Sequence, residues 1–352
     1  MNSTTRYTLA SFSLLFLLGA FVATPGAVLP AWRLEFGVQE AMAAFFNAQL
    51  LGLLLGVSLA IRLRRRHPLV PLAAVALGVG YAAMALAPAF GWVVLAAGVA
   101  GLAQGVLNVH ANGLVGELHP ERRVLMLNRV NAAFGLGAVS APLLMTLLPW
   151  RAAFWGFALA FFASAVLVWG APPTASASRR VSWSSLRAAL PLLLAVGLYV
   201  GVEASISAWS GAYLTDLGYS VRLAGALLAG YWLLLTASRL GLARWVAADP
   251  MGRLYRLVLA SLAVLVALVW PPLAPLFPLV AVFYGPIFGT SFAALQGRFG
   301  QELTAGMFYA AAVGGTIGPA LFAALPGPRW IPLGFVVLGA LLFLALRRAR
   351  EV

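Results

Sequence analysis

Cysteine and lysine are both missing from this 352-residue chain, which carries nine carboxylate side chains and three histidines. Without cysteine there is no disulfide, no thiolate nucleophile and no Cys-ligated metal. Most of the nine acids fall in short polar connections, and no H-E-x-x-H, paired-aspartate motif or G-x-S-x-G elbow occurs. The clustered nucleophiles, acids or metal ligands of a membrane-embedded enzyme are therefore not written here. A nucleotide-phosphate loop is absent too, which argues against transport driven directly by ATP. No resident cofactor and no metal site are expected. His67 and His119 fall in polar connections. His110 lies in an apolar segment but points about 200° away from Asn108 at 100° per residue, which suits helix contact better than a ligand role.

What the chain has in abundance is apolar length. Hydrophobic residues make up 62% of it, against roughly 45–50% in soluble chains. Twelve segments are long enough to cross a bilayer, with limits near 7–30, 41–61, 69–88, 92–116, 123–148, 151–170, 188–213, 222–245, 254–271, 274–296, 303–325 and 330–346. Only the Pro149-Trp150 turn separates spans five and six, so a count of ten or eleven is the rival. Arg6 leads into an apolar run that reaches Pro30 without a small-residue cleavage site, and the first segment is read as a retained helix.

The net charge of +14 is carried by arginine alone. Its short clusters between apolar segments are those of a membrane protein fixing its orientation, and no nucleic-acid partner is expected. With the N-terminus inside, the cytoplasmic segments hold Arg6, Arg62, Arg64, Arg65, Arg66, Arg122, Arg123, Arg179, Arg180, Arg187, Arg239, Arg244, Arg253, Arg256, Arg298, Arg347, Arg348 and Arg350. The outside holds Arg33, Arg151, Arg222 and Arg329. Both termini are thus expected in the cytoplasm, with the chain multi-pass in the cell inner (plasma) membrane.

The longest polar connection, 171–187, is rich in Pro, Ser and Ala and lies at the middle of the chain. It divides the sequence into residues 1–170, a cytoplasmic linker 171–187, and residues 188–352, with six spans on each side. The halves echo each other. Gly137 and Pro142 in span five are spaced like Gly314 and Pro319 in span eleven, at an offset of 177. The expected fold is all-α, with twelve transmembrane helices in two pseudo-symmetric six-helix bundles.

One carboxylate stands out. From Ala188 to Thr215 the charged side chain is Glu203 alone, well inside the span bounded by Arg187 and Asp216. An acid at that depth costs about 2.5–3.5 kcal/mol on insertion scales and usually faces a bundle interior or a water-filled cavity. The functional reading is a proton- or ion-linked site. The structural reading is a protonated Glu that hydrogen-bonds a neighbouring helix.

Other polar residues share helix faces. Gln104, Asn108 and Asn112 recur every four residues on span four and make one stripe. Such amides either bind a hydroxylated ligand or join helices. The ligand role is favoured for Gln104 and Asn108, and the two readings are even for Asn112. Asn128 and Asn131, at the start of span five, are candidates to pair with Asn112, and Arg129 to snorkel to the interface. On span seven Tyr199, Glu203 and Ser207 share a face with Trp209 near. An aromatic beside a carboxylate suits a sugar, although Trp209 equally fits an interfacial belt.

The stretch from Gly101 to Leu144, GLAQGVLNVHANGLVGELHPERRVLMLNRVNAAFGLGAVSAPLL, resembles the fucose-permease-like branch of the major facilitator superfamily. Its Gly-rich span four, its acidic–basic loop Glu117 to Arg123 and its run from Asn128 to Pro142 carry the likeness. Tyr199 to Leu214, YVGVEASISAWSGAYL, resembles span seven of the same branch. The resemblance implies a secondary transporter and adds Thr24 on span one and Tyr284 on span ten as wall residues of the substrate site. It also marks departures. The proton-handling acids of spans one and four in that branch match Gly26 and Asn108 here, and Glu203 lies one offset of 177 from Gly26. The coupling role is therefore expected to have moved to span seven. The loop Ile61 to His67 is rich in Arg but lacks the aspartate of the superfamily's gating motif.

The expected function is secondary active transport of a small polar solute, a sugar by this resemblance, through alternating access and coupled to H+ or Na+ by Glu203. The alternative is proton-coupled efflux of amphipathic or cationic compounds, and a membrane-embedded enzyme comes third. The expected partners are the solute and the lipid bilayer, with the protein acting as a monomer.

Overall fold

The computed structural model describes residues 2–37, 42–175 and 182–351. Among the described residues twelve helices are long and apolar enough to cross a membrane. In chain order the spans are Ser3–Phe36, Met42–Arg62, Arg66–Leu86, Phe90–Leu118, Arg123–Leu147, Trp150–Val168, Trp183–Asp216, Val221–Gly241, Pro250–Ala267, Pro271–Arg298, Gln301–Ala323 and Ile331–Glu351. No strand occurs among the described residues. Each predicted span has a helix. Spans one and seven run well beyond their predicted limits because a helix continues past the apolar run wherever its polar flanks still form helix.

Local chemistry sets several ends. Ser182 accepts a hydrogen bond from Ser185 N at 3.1 Å and Ser220 one from Leu223 N at 3.2 Å, so each caps the helix that follows. Asp249 does the same for Gly252 N at 3.1 Å, with Pro250 in the first turn. Span seven stops where Gly218 adopts φ 90° and Tyr219 N returns to Leu214 O at 3.0 Å. Span ten opens as a 3-10 stretch, Pro271–Leu279, because its prolines lack the N–H that an α-helix needs there. Within the predicted linker, residues 176–181 lie outside the described residues, and from Trp183 the chain is already helical.

Two compact units emerge from the contacts. The first comprises Met1–Arg123 and Ala133–Ala177, the second Val124–Ala132 and Ser178–Val352. Span five is therefore shared, its first residues belonging with the second unit.

Glycine lets backbones touch where lipid gives no hydrophobic drive for helix association. In the first unit, a Cβ on Gly56 would lie 2.0 Å from Leu102 O of span four, and one on Gly137 would lie 1.8 Å from Phe16 O of span one. In the second unit a Cβ on Gly314 would lie 1.9 Å from Gly197 O of span seven. Gly137 and Gly314, the pair that signalled the repeat, thus do the same job in their own units. The first unit also holds an aromatic core, in which Trp32 packs on Phe45, Phe90, Trp150 and Phe154.

Candidate functional site

Glu203 lies on the inner side of span seven. Leu190 and Leu194 of that helix are 45% and 52% exposed, the lipid-facing row. At 100° per residue Leu194 is about 180° round the helix from Glu203, and Leu190 about 180° from Tyr199. Glu203 is half-buried and Tyr199, one turn away, fully buried. The carboxylate lies beside the Tyr199 hydroxyl and within reach of the Arg239 charge.

The charge that answers this acid is Arg239 of span eight. It is among the arginines expected toward the cytoplasmic side, and it is 5% exposed, inside the second unit rather than in an exposed connection. Its Nη2 donates to Tyr199 Oη at 3.2 Å, its Nε to Gly285 O at 3.2 Å and its Nη1 to Asn131 O at 3.0 Å. Tyr199 thus stands between the acid and the guanidinium. Tyr231 and Tyr284 complete the cluster, the Tyr284 ring meeting Tyr199 edge-on at 5.9 Å.

The other predicted residues are placed as follows. In the second unit, Ser207 donates to Glu203 O of its own helix at 2.9 Å, and Trp209 Nε1 donates to Pro319 O of span eleven at 3.0 Å. The Tyr284 hydroxyl is turned toward Ser261 and Gly339. Ser207 and Trp209 are thus taken up within the unit, whereas the buried Tyr284 hydroxyl has no hydrogen-bond partner among the described residues. In the first unit, Thr24 meets Tyr81 Oη at 3.0 Å, and Gln104 accepts from Gln49 Nε2 at 3.1 Å. Asn112 Nδ2 donates to Asn108 O at 2.9 Å. Asn108, 9% exposed, makes no side-chain hydrogen bond among the described residues. Asn128 does not pair with Asn112. It donates to Val124 O at 2.9 Å and to Thr290 Oγ1 of span ten at 3.0 Å. Arg129 is half-buried.

A second polar cluster closes one end of the first unit. In place of the missing loop aspartate, Arg66 finds Glu117 at the end of span four, at 2.8 Å. Arg66 also donates to Pro172 O and Pro173 O at 3.3 Å, and Glu117 accepts from Ala175 N at 3.1 Å. This fastens the start of the 171–187 connection. Nearby, Thr8 Oγ1 and His119 Nε2 are 2.8 Å apart, with His119 held below the ordinary histidine pKa by burial and then by Arg122. Removing one partner of a buried pair leaves the other charge uncompensated, at about 3–5 kcal/mol. Arg66→Ala should therefore lower the melting temperature far more than Arg65→Ala, which alters an exposed arginine. Equal shifts in a thermal-unfolding assay would deny the pair that role.

Twelve apolar helices among the described residues, in two units, are those of a multi-pass membrane protein. The chain belongs to the Major Facilitator Superfamily, whose family model matches residues 11–323. It is a transporter of a small-molecule solute, not an enzyme. No curated protein sequence matches it. Its fold is similar to the crystal structure of FucP, the E. coli fucose:proton symporter, in the outward conformation. That likeness has a TM-score of 0.80 at 16% identity and covers 99% of both chains. The human organic anion transporter MFSD10 (TETRAN) is similar at a TM-score of 0.75 and 16% identity, over 98% of this chain and all of that one. The proton:xylose symporter XylE, bound to 6-bromo-6-deoxy-D-glucose, is similar at 0.75 and 13% identity, over 99% and 95% of the two chains.

Proposed function

We propose that the protein is a proton-coupled sugar transporter working by alternating access between its two halves, residues 1–170 and 188–352, with Glu203 as the coupling acid. One observation carries this reading. A half-buried carboxylate sits on the inner face of a transmembrane helix, with a tyrosine and a buried arginine beside it. An acid placed there is costly unless its charging is used. A proton is preferred to Na+ because, among the described residues, no second carboxylate joins the cluster to complete an oxygen cage for a metal cation. The fold shared with fucose and xylose symporters adds support.

The Arg239 charge also bears on the solute. A lone carboxylate in an apolar site would attract lipophilic cations, but an acid balanced by an arginine has no such bias. A neutral polyhydroxylated ligand fits better, held by an amide. Asn108 is the first candidate, because its side chain is uncommitted among the described residues. The monomer, the inner membrane and cytoplasmic termini belong to the same proposal, the last two from the arginine asymmetry.

A ligand that binds the folded protein raises its melting point by mass action. The purified chain is expected to be stabilised by one of a panel of monosaccharides and not by lipophilic cations. Asn108→Ala should weaken that stabilisation roughly tenfold in ligand concentration, the worth of one or two hydrogen bonds. Stabilisation by cations and by no sugar would overturn the sugar assignment.

A further inference from the structure

Arg239 does more than neutralise an acid. A guanidinium buried in a membrane protein must be paired or fully hydrogen-bonded. Arg239 reaches its bonds in two directions. Toward span seven it holds the Tyr199 hydroxyl, behind which stands Glu203. Toward span five it holds the Asn131 carbonyl, and a third bond, to Gly285 O, anchors it to span ten. Asn131 belongs to Val124–Ala132, the part of span five that clusters with the second unit while the rest of that helix clusters with the first. The same segment is tied a second time by Asn128 to Thr290.

We propose that Arg239 is a positioning residue that couples the charge on Glu203 to the hold on the span-five segment. This rests on the reading of Glu203 as the coupling acid. With Glu203 ionised, the guanidinium is drawn toward it through Tyr199 and its grip on the Asn131 carbonyl loosens. With Glu203 neutral, backbone carbonyls are the best acceptors left to Arg239, and the segment is held. The charged and titratable groups around the acid are Arg239 and Tyr231 on span eight, Tyr199 on its own helix and Tyr284 on span ten. Arg239 is thus the cation set against it there.

The chain has no cysteine, so one introduced thiol is a unique probe. Val130, in the segment, is fully buried and takes a near-isosteric cysteine. In Val130→Cys protein, maleimide labelling over a pH series, divided at each pH by the rate of a free thiol so that thiolate ionisation cancels, should quicken as pH rises; every labelling rate below is this ratio. Adding Glu203→Gln should fix labelling at the slow limit at every pH. Adding Arg239→Gln should fix it at the fast limit, roughly tenfold quicker, which is the loss of one hydrogen bond from a charged donor. Arg239→Lys, which keeps the charge but not the fork and is less exposed to folding failure, should fall between. Thr290→Val should speed labelling while keeping its pH response.

If Glu203→Gln loses the pH response and both Arg239 variants keep it unchanged, the role of Arg239 is overturned and that of Glu203 stands. A response retained in Glu203→Gln overturns the reading of Glu203 and this inference with it. Loss of the response in Thr290→Val would mean that any loosening of the segment has this effect, and would equally overturn the assignment. So would the absence of labelling in every background, since the segment would then not move.

Discussion

Glu203→Gln should end uphill accumulation of the solute while leaving exchange of solute for solute across the membrane. The amide has nearly the shape of the protonated acid and cannot be discharged. A carrier that must lose a proton to return empty is then trapped, whereas exchange needs no empty return. The neighbours keep their places, because Tyr199 can still hydrogen-bond the amide and Arg239 retains its two backbone acceptors. Counterflow into proteoliposomes should remain within a few-fold of the natural chain, and accumulation under an imposed pH gradient should fall to simple equilibration. Loss of both activities would point to a folding or binding defect. Unchanged accumulation would remove Glu203 from the mechanism.

Gly314→Leu is the second variant with a large expected effect. The Cβ alone would lie 1.9 Å from Gly197 O and 2.6 Å from its carbonyl carbon. These are backbone atoms, so no flexible side chain can swing aside. Overpacking in a well-packed interior costs about 1–3 kcal/mol, and more where backbones touch. Glu203 is less than two turns along the same helix from Gly197. Displacing span seven should therefore degrade coupling as well as stability. Gly211→Leu is the control, because nothing lies within 4 Å of a Cβ there. Gly314→Leu should unfold several degrees lower than Gly211→Leu in the same detergent. Similar melting temperatures would show that the crossing yields more easily than its geometry implies.

The fold was legible because bilayer thickness writes itself into sequence. Twelve apolar runs gave twelve helices, and even spans five and six, parted by Pro149-Trp150, are separate helices. Helix ends were less legible, since Ser182 caps span seven ahead of a polar turn that hydropathy assigns to the linker. The stripe on span four is buried throughout, but its spacing could not tell that Gln104 is paired with Gln49 and Asn108 is not. That depends on a neighbouring helix. Glu203 drew attention because a solitary acid in an apolar run is conspicuous. Arg239 was missed because Arg244 follows it, and the two look like one basic cluster. Its position within the predicted limits 222–245 was the available signal. Trp209, with its amphipathic ring, fitted both a sugar platform and an interfacial belt, and its indole N–H instead bridges to Pro319 O.

Proton movement is the most direct measure of what the half-buried acid is for. Sugar added to de-energised proteoliposomes containing the purified chain, with a pH-sensitive dye outside, should alkalinise the medium as solute and protons enter together. The signal should vanish in Glu203→Gln and on adding a protonophore. Entry of the same sugar with no pH change, at a rate indifferent to an imposed pH gradient, would contradict the account.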